Sequence, residues 1–241
     1  MLSNFISLGD KIELQSVERK SGSEEEKARV YISRVYEILT EDTLEITMPM
    51  EQTKLILLQV DSEYDMVFYG ETGLYQCFAR VVDRYKTNNV YILRVELTSN
   101  LRKYQRREYY RFSCALEMTS RNLVEEELEG VETKTAQMLQ EGLPMRRCVI
   151  VDISGGGIRF MSDQKYDVGS LIYCNYHLLK NGKSKMYEVI GRVLTVQALE
   201  NKPGTYEHRV QYYNMDVGTR EEIIKFIFEE ERRNRKRDRN S

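Results

Sequence analysis

The chain has 241 residues, 41% hydrophobic and 31% charged, a composition that buries one large core or two modest ones and excludes a disordered chain. Its 36 Lys and Arg stand against 38 Asp and Glu, a formal net charge of −2, which excludes the broad basic field of a nonspecific nucleic-acid binder; no DNA partner is expected, and any anion site must be local. Two histidines leave almost no material for hydrolytic triads or His-rich metal sites, and four cysteines without C-x-x-C spacing read as reduced core residues, so no metal or cofactor is expected.

The first residues, MLSNFISLGDKIEL, carry no basic stretch followed by a long apolar one, and the longest aliphatic run, Leu55 to Leu58, is too short to cross a bilayer. A soluble, cytoplasmic chain without a transmembrane segment is therefore expected. From Gly9 onward, short alternating runs follow one another: Lys11 to Val17, Ala28 to Leu39, Thr43 to Met48, Lys54 to Val60, Asp65 to Tyr69, Leu74 to Tyr85 and Val90 to Leu97. Period-two alternation at this spacing predicts an antiparallel sheet closed into a small barrel over residues 1–97, with hairpin tips at 21–27 (SGSEEEK) and at Asn88-Asn89.

Residues 98–107, TSNLRKYQRR, carry cations without apolar period and are read as an arginine-rich interdomain linker. Alternation resumes at Tyr110, with Phe112, Cys114, Leu116 and Met118 on one face and Arg111, Ser113, Ala115 and Glu117 on the other. The charged stretch 119–146 reads as a long connection holding a helical turn or two. Strand signals at Cys148 to Asp152, Gly157 to Met161, Leu171 to Leu179, Lys185 to Leu199 and Tyr206 to Tyr213 predict a second barrel of about six strands in the domain 108–241. The chain closes with a predicted helix: Thr219 and Glu222 form a capping box, Glu221 and Glu222 occupy the first turn, and Ile223, Phe226 and Ile227 form the docking stripe ahead of a basic, solvated tail. The fold class is thus all-β, two antiparallel barrels with a C-terminal α-helix.

Two stretches carry chemistry. QRREYYR at 105–111 crowds arginines onto the start of a strand, and DISGGG at 152–157 hangs an Asp and a Ser on three glycines. Arginine forks suit phosphates and guanine O6/N7 and stack on bases. The carboxylate of Asp152 suits the guanine N1–H and N2 amine. Ser154 suits a phosphate oxygen or a base edge, and Gly155, Gly156 and Gly157 permit positive φ, close backbone approach and free amide donors. Together they describe a pocket for a guanine nucleotide with phosphates, without a G-x-x-x-x-G-K-[ST] loop or a G-x-G-x-x-G strand-to-helix turn.

Arg-x-x-x-Arg at Arg107 and Arg111, followed by Asp-x-Ser-x-x-Gly at Asp152, Ser154 and Gly157, resembles the two-part signature of PilZ domains, bacterial receptors for cyclic di-GMP. The alternating first half running into the arginines is similar to the PilZN-like domain of YcgR-type flagellar brake proteins. The resemblance implies a non-enzymatic receptor whose Arg107 and Arg111 grip the ligand's phosphates and guanines while Asp152, Ser154 and Gly157 line the opposite side. It associates Arg106 with an intercalated ligand dimer. It also implies that ligand changes the interdomain arrangement, and that a flagellar motor stator or rotor protein is the partner, with lowered motility as output and recruitment to the motor base.

An effector of exopolysaccharide synthesis or of another envelope machine would share these features. Two other classes compete. LRKYQRREYYRF interleaves cations with Tyr104, Tyr109, Tyr110 and Phe112, as single-stranded RNA binders do, but that reading leaves DISGGG unused. Ser154 as an enzymatic nucleophile lacks both the G-x-S-x-G elbow and a nearby histidine.

Overall fold

The computed structural model describes residues 2–17, 29–133, 139–180 and 182–238. It consists of two compact units, Met1–Arg106 and Arg107–Ser241.

The first unit opens on a short 3-10 turn, Leu2–Asn4, and contains β1 (Lys11–Ser16), β2 (Val30–Ile38), β3 (Thr43–Thr47), β4 (Met50–Glu51), β5 (Lys54–Leu55), β6 (Glu63–Gly70), β7 (Gly73–Thr87), β8 (Val90–Leu97) and β9 (Arg102–Lys103). Six of these close into an antiparallel ring, β6-β1-β2-β3-β8-β7 and back to β6, with β9 added against β7. Alternation sends one phase of each strand inward: Ile12 and Leu14, Leu44 and Ile46, Met66 and Phe68, Cys77, Ala79 and Val81, and Leu93 and Val95 fill the core. Asn88 and Asn89 make the β7–β8 turn, both at positive φ as a tight hairpin requires. The tip expected at residues 21–27 lies outside the described residues.

Two expectations change here. Lys54 to Val60 is not one strand: β5 stops after Leu55, and the following residues run over the barrel, where Leu58 is buried in the core and Leu55 and Ile56 pack against it. The segment read as a linker is bound to the first unit for most of its length. Arg102–Lys103 pair with Tyr75 and Gln76, the Thr98 and Tyr104 amides donate to Phe78 and Leu74, and Ser99 Oγ accepts from the Phe78 amide.

In the second unit, β10 (Arg111–Asn122), β11 (Arg146–Ser154), β12 (Gly157–Ser162), β13 (Leu171–Lys180), β14 (Lys183–Ala198) and β15 (Tyr206–Tyr212) close into a barrel in the order β10-β11-β12-β15-β14-β13. The core includes Phe112, Met118, Ile150, Ile153, Ile158, Phe160, Cys174 and Val210, and is capped by Ile223, Phe226 and Ile227 of helix α2, Val217–Asp238. Phe226 meets Phe112 edge to face at 6.4 Å. The α2 cap is Asp216, whose Oδ1 accepts the Thr219 amide at 2.8 Å, so Thr219 sits inside the first turn and Glu221 and Glu222 follow it.

The described part of the charged connection holds more regular structure than its composition suggests. Thr119 to Asn122 still belong to β10, and α1 (Glu125–Thr133) lies beside a separate small core of Leu123, Val131, Tyr173 and Ile190. It is fixed by a two-pronged pair: Arg121 donates to both Glu127 oxygens at 2.7 Å, and those oxygens also accept the Val124 and Gln140 amides. The Arg121 bonds hold the Glu127 carboxyl down at about 2.

Candidate functional site

The two motifs meet because β10 and β11 are neighbours. Arg111 pairs with Ser154, Phe112 with Ile153 and Ser113 with Asp152. Alternation then sorts the side chains. Phe112 and Ile153 turn into the core, whereas Arg111, Ser113, Asp152 and Ser154 share the opposite face. In Asp-x-Ser the middle residue is a core anchor, and the flanking pair is held on one face by it. The β11–β12 turn closes on Ser154 opposite Gly157, and β12 in turn pairs Gly157 with Gln211 of β15.

Asp152 is one member of an ion-pair chain. Arg159 Nε donates to Asp152 Oδ2 at 2.5 Å and Arg159 Nη1 to Glu207 Oε2 at 2.8 Å, the Asp152 and Glu207 side chains each being 14% exposed. Asp152 Oδ1 takes no hydrogen bond among the described residues. Cys114 lies close by, and burial, with the Asp152 charge added, pushes its thiol up to about 11, so it stays neutral at neutral pH. The Ser154 hydroxyl serves the turn, donating to the Gly157 carbonyl at 3.0 Å and accepting the Gly156 amide at 3.3 Å.

The glycines act through close approach. None of Gly155, Gly156 and Gly157 has positive φ, contrary to one sequence expectation. A Cβ on Gly157 would lie 2.0 Å from the Val210 carbonyl oxygen, and one on Gly155 would lie 2.5 Å from the Tyr109 ring and 2.8 Å from Ile224. The Tyr109 ring rests on this turn, 3.1 Å from where a Gly156 Cβ would be. Arg220, from the first turn of α2, lies over that ring at 5.5 Å from its centroid and donates to the Gly155 carbonyl.

Of the arginines, Arg111 is exposed on β10 and makes no side-chain hydrogen bond or ion pair among the described residues, and Arg107 is exposed at the start of the second unit. Arg106 ends the first unit. Its guanidinium donates to the Tyr69 hydroxyl, stacks on that ring at 5.3 Å and lies 3.8 Å from Glu13. The structure therefore brings Arg111, Asp152, Ser154 and the three glycines together within one barrel. Sequence reasoning missed Arg159 and Arg220, and took Tyr109 up only as a stacking residue of the RNA reading. Arg159 was detectable as a cation two residues after Gly157, on the strand phase of Asp152; Arg220, 65 residues from the carbonyl it holds, left no local signal.

Two family models match the chain. Residues 105–229 match the family model of the PilZ domain, and residues 7–97 match that of the flagellar protein YcgR, PilZNR. The chain belongs to the PilZ family. The fold of this PilZ chain is similar to that of Bacillus subtilis Inhibitor of motility (MotI/DgrA), with a TM-score of 0.73 at 16% identity over 95% of this chain and 100% of that one. It also matches Escherichia coli YcgR in complex with c-di-GMP, with a TM-score of 0.47 at 14% identity over 96% and 88% of the two chains. A third match is the MrkH–c-di-GMP complex of K. pneumonia, 0.41 at 12% over 95% and 90%. No curated protein matches in sequence. Among the described residues, no PilZ-domain helix or other helix is long and apolar enough to cross a membrane, and no cluster of His, Cys, Asp and Glu could hold a metal ion.

Proposed function

We propose that this chain is a non-enzymatic receptor for cyclic di-GMP, and that binding changes how its two units are arranged. The observation that carries the reading is the shared face of Arg111, Asp152 and the glycine turn, with Arg107 four residues before Arg111 in the segment that leads into β10. Arg107 and Arg111 supply forks for the ligand's phosphates and guanine acceptors. Asp152, steadied by Arg159 through one oxygen, keeps the other for the guanine N1–H and N2 amine. Ser154 and Gly157 shape the turn that the ligand meets, and Arg106 is a second-ligand residue if it leaves Tyr69.

Because the arginine loop follows directly on the boundary at Arg106, a dianionic ligand that pins it restricts the hinge between the units. Charge-assisted hydrogen bonds at roughly 1.5–3 kcal/mol each reach, in two or three contacts, the roughly 5.5 kcal/mol that moves a two-state equilibrium from 1:99 to 99:1. The YcgR match of the first unit, and the fold shared with a protein named as an inhibitor of motility, favour a flagellar motor stator or rotor protein as partner and lowered motility as output.

Displacement of labelled cyclic di-GMP tests the ligand. Cyclic di-GMP should compete far better than cyclic di-AMP or single-stranded RNA, and Asp152→Ala should erode the guanine preference. RNA competing as well as the dinucleotide, with a steep salt dependence, would move the assignment to nucleic-acid binding.

A further inference from the structure

The glycine turn has the form of a seat for a planar ring. Gly155 and Gly156 leave its floor without Cβ atoms, Ile224 borders it, and the Arg220 guanidinium lies over the ring that sits there. That ring is Tyr109. We propose that the seat receives one guanine of the ligand, that Tyr109 is its place-holder, and that Arg220 is a ligand-binding residue outside the two-part signature; this rests on the cyclic di-GMP reading above.

Three observations lead there. A guanidinium stacks on a purine as readily as on a phenol ring and adds a fork that fits guanine O6 and N7, so Arg220 loses nothing by the exchange. Arg220 stays in place when the loop moves, because α2 is anchored by Ile223, Phe226 and Ile227 in the core and capped by Asp216. Tyr109 stands between Arg107 and Arg111 in the segment ahead of β10, so a backbone shift that brings Arg107 onto a phosphate carries Tyr109 with it, while Arg111 stays laddered to Ser154. Its ring is half-buried on the glycines, and its hydroxyl faces Glu108 and Arg220.

The two residues then have opposite effects on affinity, which a scaffolding role for both does not produce. Calorimetric titration with cyclic di-GMP should show Arg220→Ala weakening binding about tenfold, the scale of one lost base-stacking contact. Arg220→Lys should fail to restore it, because an ammonium has no plane to stack. Tyr109→Ala should tighten binding about fivefold by removing a competitor, the scale of one aromatic–arginine contact. Tyr109→Leu gives a second reading of the same effect if the alanine variant melts early. Weakening in both variants, no change in either, or tighter binding by Arg220→Ala overturns the proposal while wild-type binding stands. A wild-type chain that does not bind rejects the ligand reading itself, and this inference with it.

Discussion

Asp152 shows how a short motif acquires its geometry. Its strand neighbour Ile153 is fully buried, so the carboxylate has only the outer face, and Arg159 then fixes its direction. That alternation was legible in Asp-x-Ser; the pairing of Arg111 with Ser154 was not, because neither motif says which strands of a barrel are neighbours. The roles of the glycines were legible only as a need for smallness. Whether smallness served positive φ or close approach depended on β15 crossing behind Gly157, where Val210 lies 53 residues away in sequence. Gly157→Ala should accordingly destabilise the second unit by about 1–3 kcal/mol, since its Cβ would meet backbone rather than a yielding side chain. Denaturant unfolding checks this, and an unchanged midpoint would mean that β12 and β15 part without penalty.

Elements were read well where a period was present and poorly where composition alone was available. Both barrels followed from alternation, and α2 from its apolar stripe, because each pattern records which face is buried. The insertion after β10 looked like a charged loop because its anchor is itself charged: Arg121 and Glu127, with side chains 7% and 2% exposed, do what an apolar pair does elsewhere. His208 on β15 gives the barrel a pH dependence. It is fully buried, stacked on Phe160 at 4.8 Å, with Nε2 accepting the Tyr166 amide, and desolvation lowers its pKa to about 4. A depressed histidine pKa makes the unfolded state bind the extra proton first, so this stability is intact above the unfolded value near 6.5 and is lost as pH falls toward about 4. Unfolding free energy should fall by about 2 kcal/mol from pH 7 to pH 5 on this account, and His208→Gln should flatten that slope. Equal slopes in both proteins would assign the acid sensitivity to other groups.

At the scale of the whole molecule, two closed barrels leave few free strand edges, and the chain passes between them at Arg106–Arg107, beside the arginines expected to meet the ligand. Placing the boundary there, rather than across all of 98–107, needed the β7–β9 pairing, which two residues of strand could not announce in sequence. If ligand changes the arrangement as proposed, small-angle scattering should change when cyclic di-GMP is added, and superimposable curves would remove the rearrangement while leaving the receptor. The most direct test of the account is isothermal titration calorimetry with cyclic di-GMP on the wild-type chain and on the Arg107→Ala, Arg111→Ala double variant. Saturable binding is expected in the first and none in the second; a folded wild-type chain that gives no heat, or a double variant that binds as tightly, would remove the site.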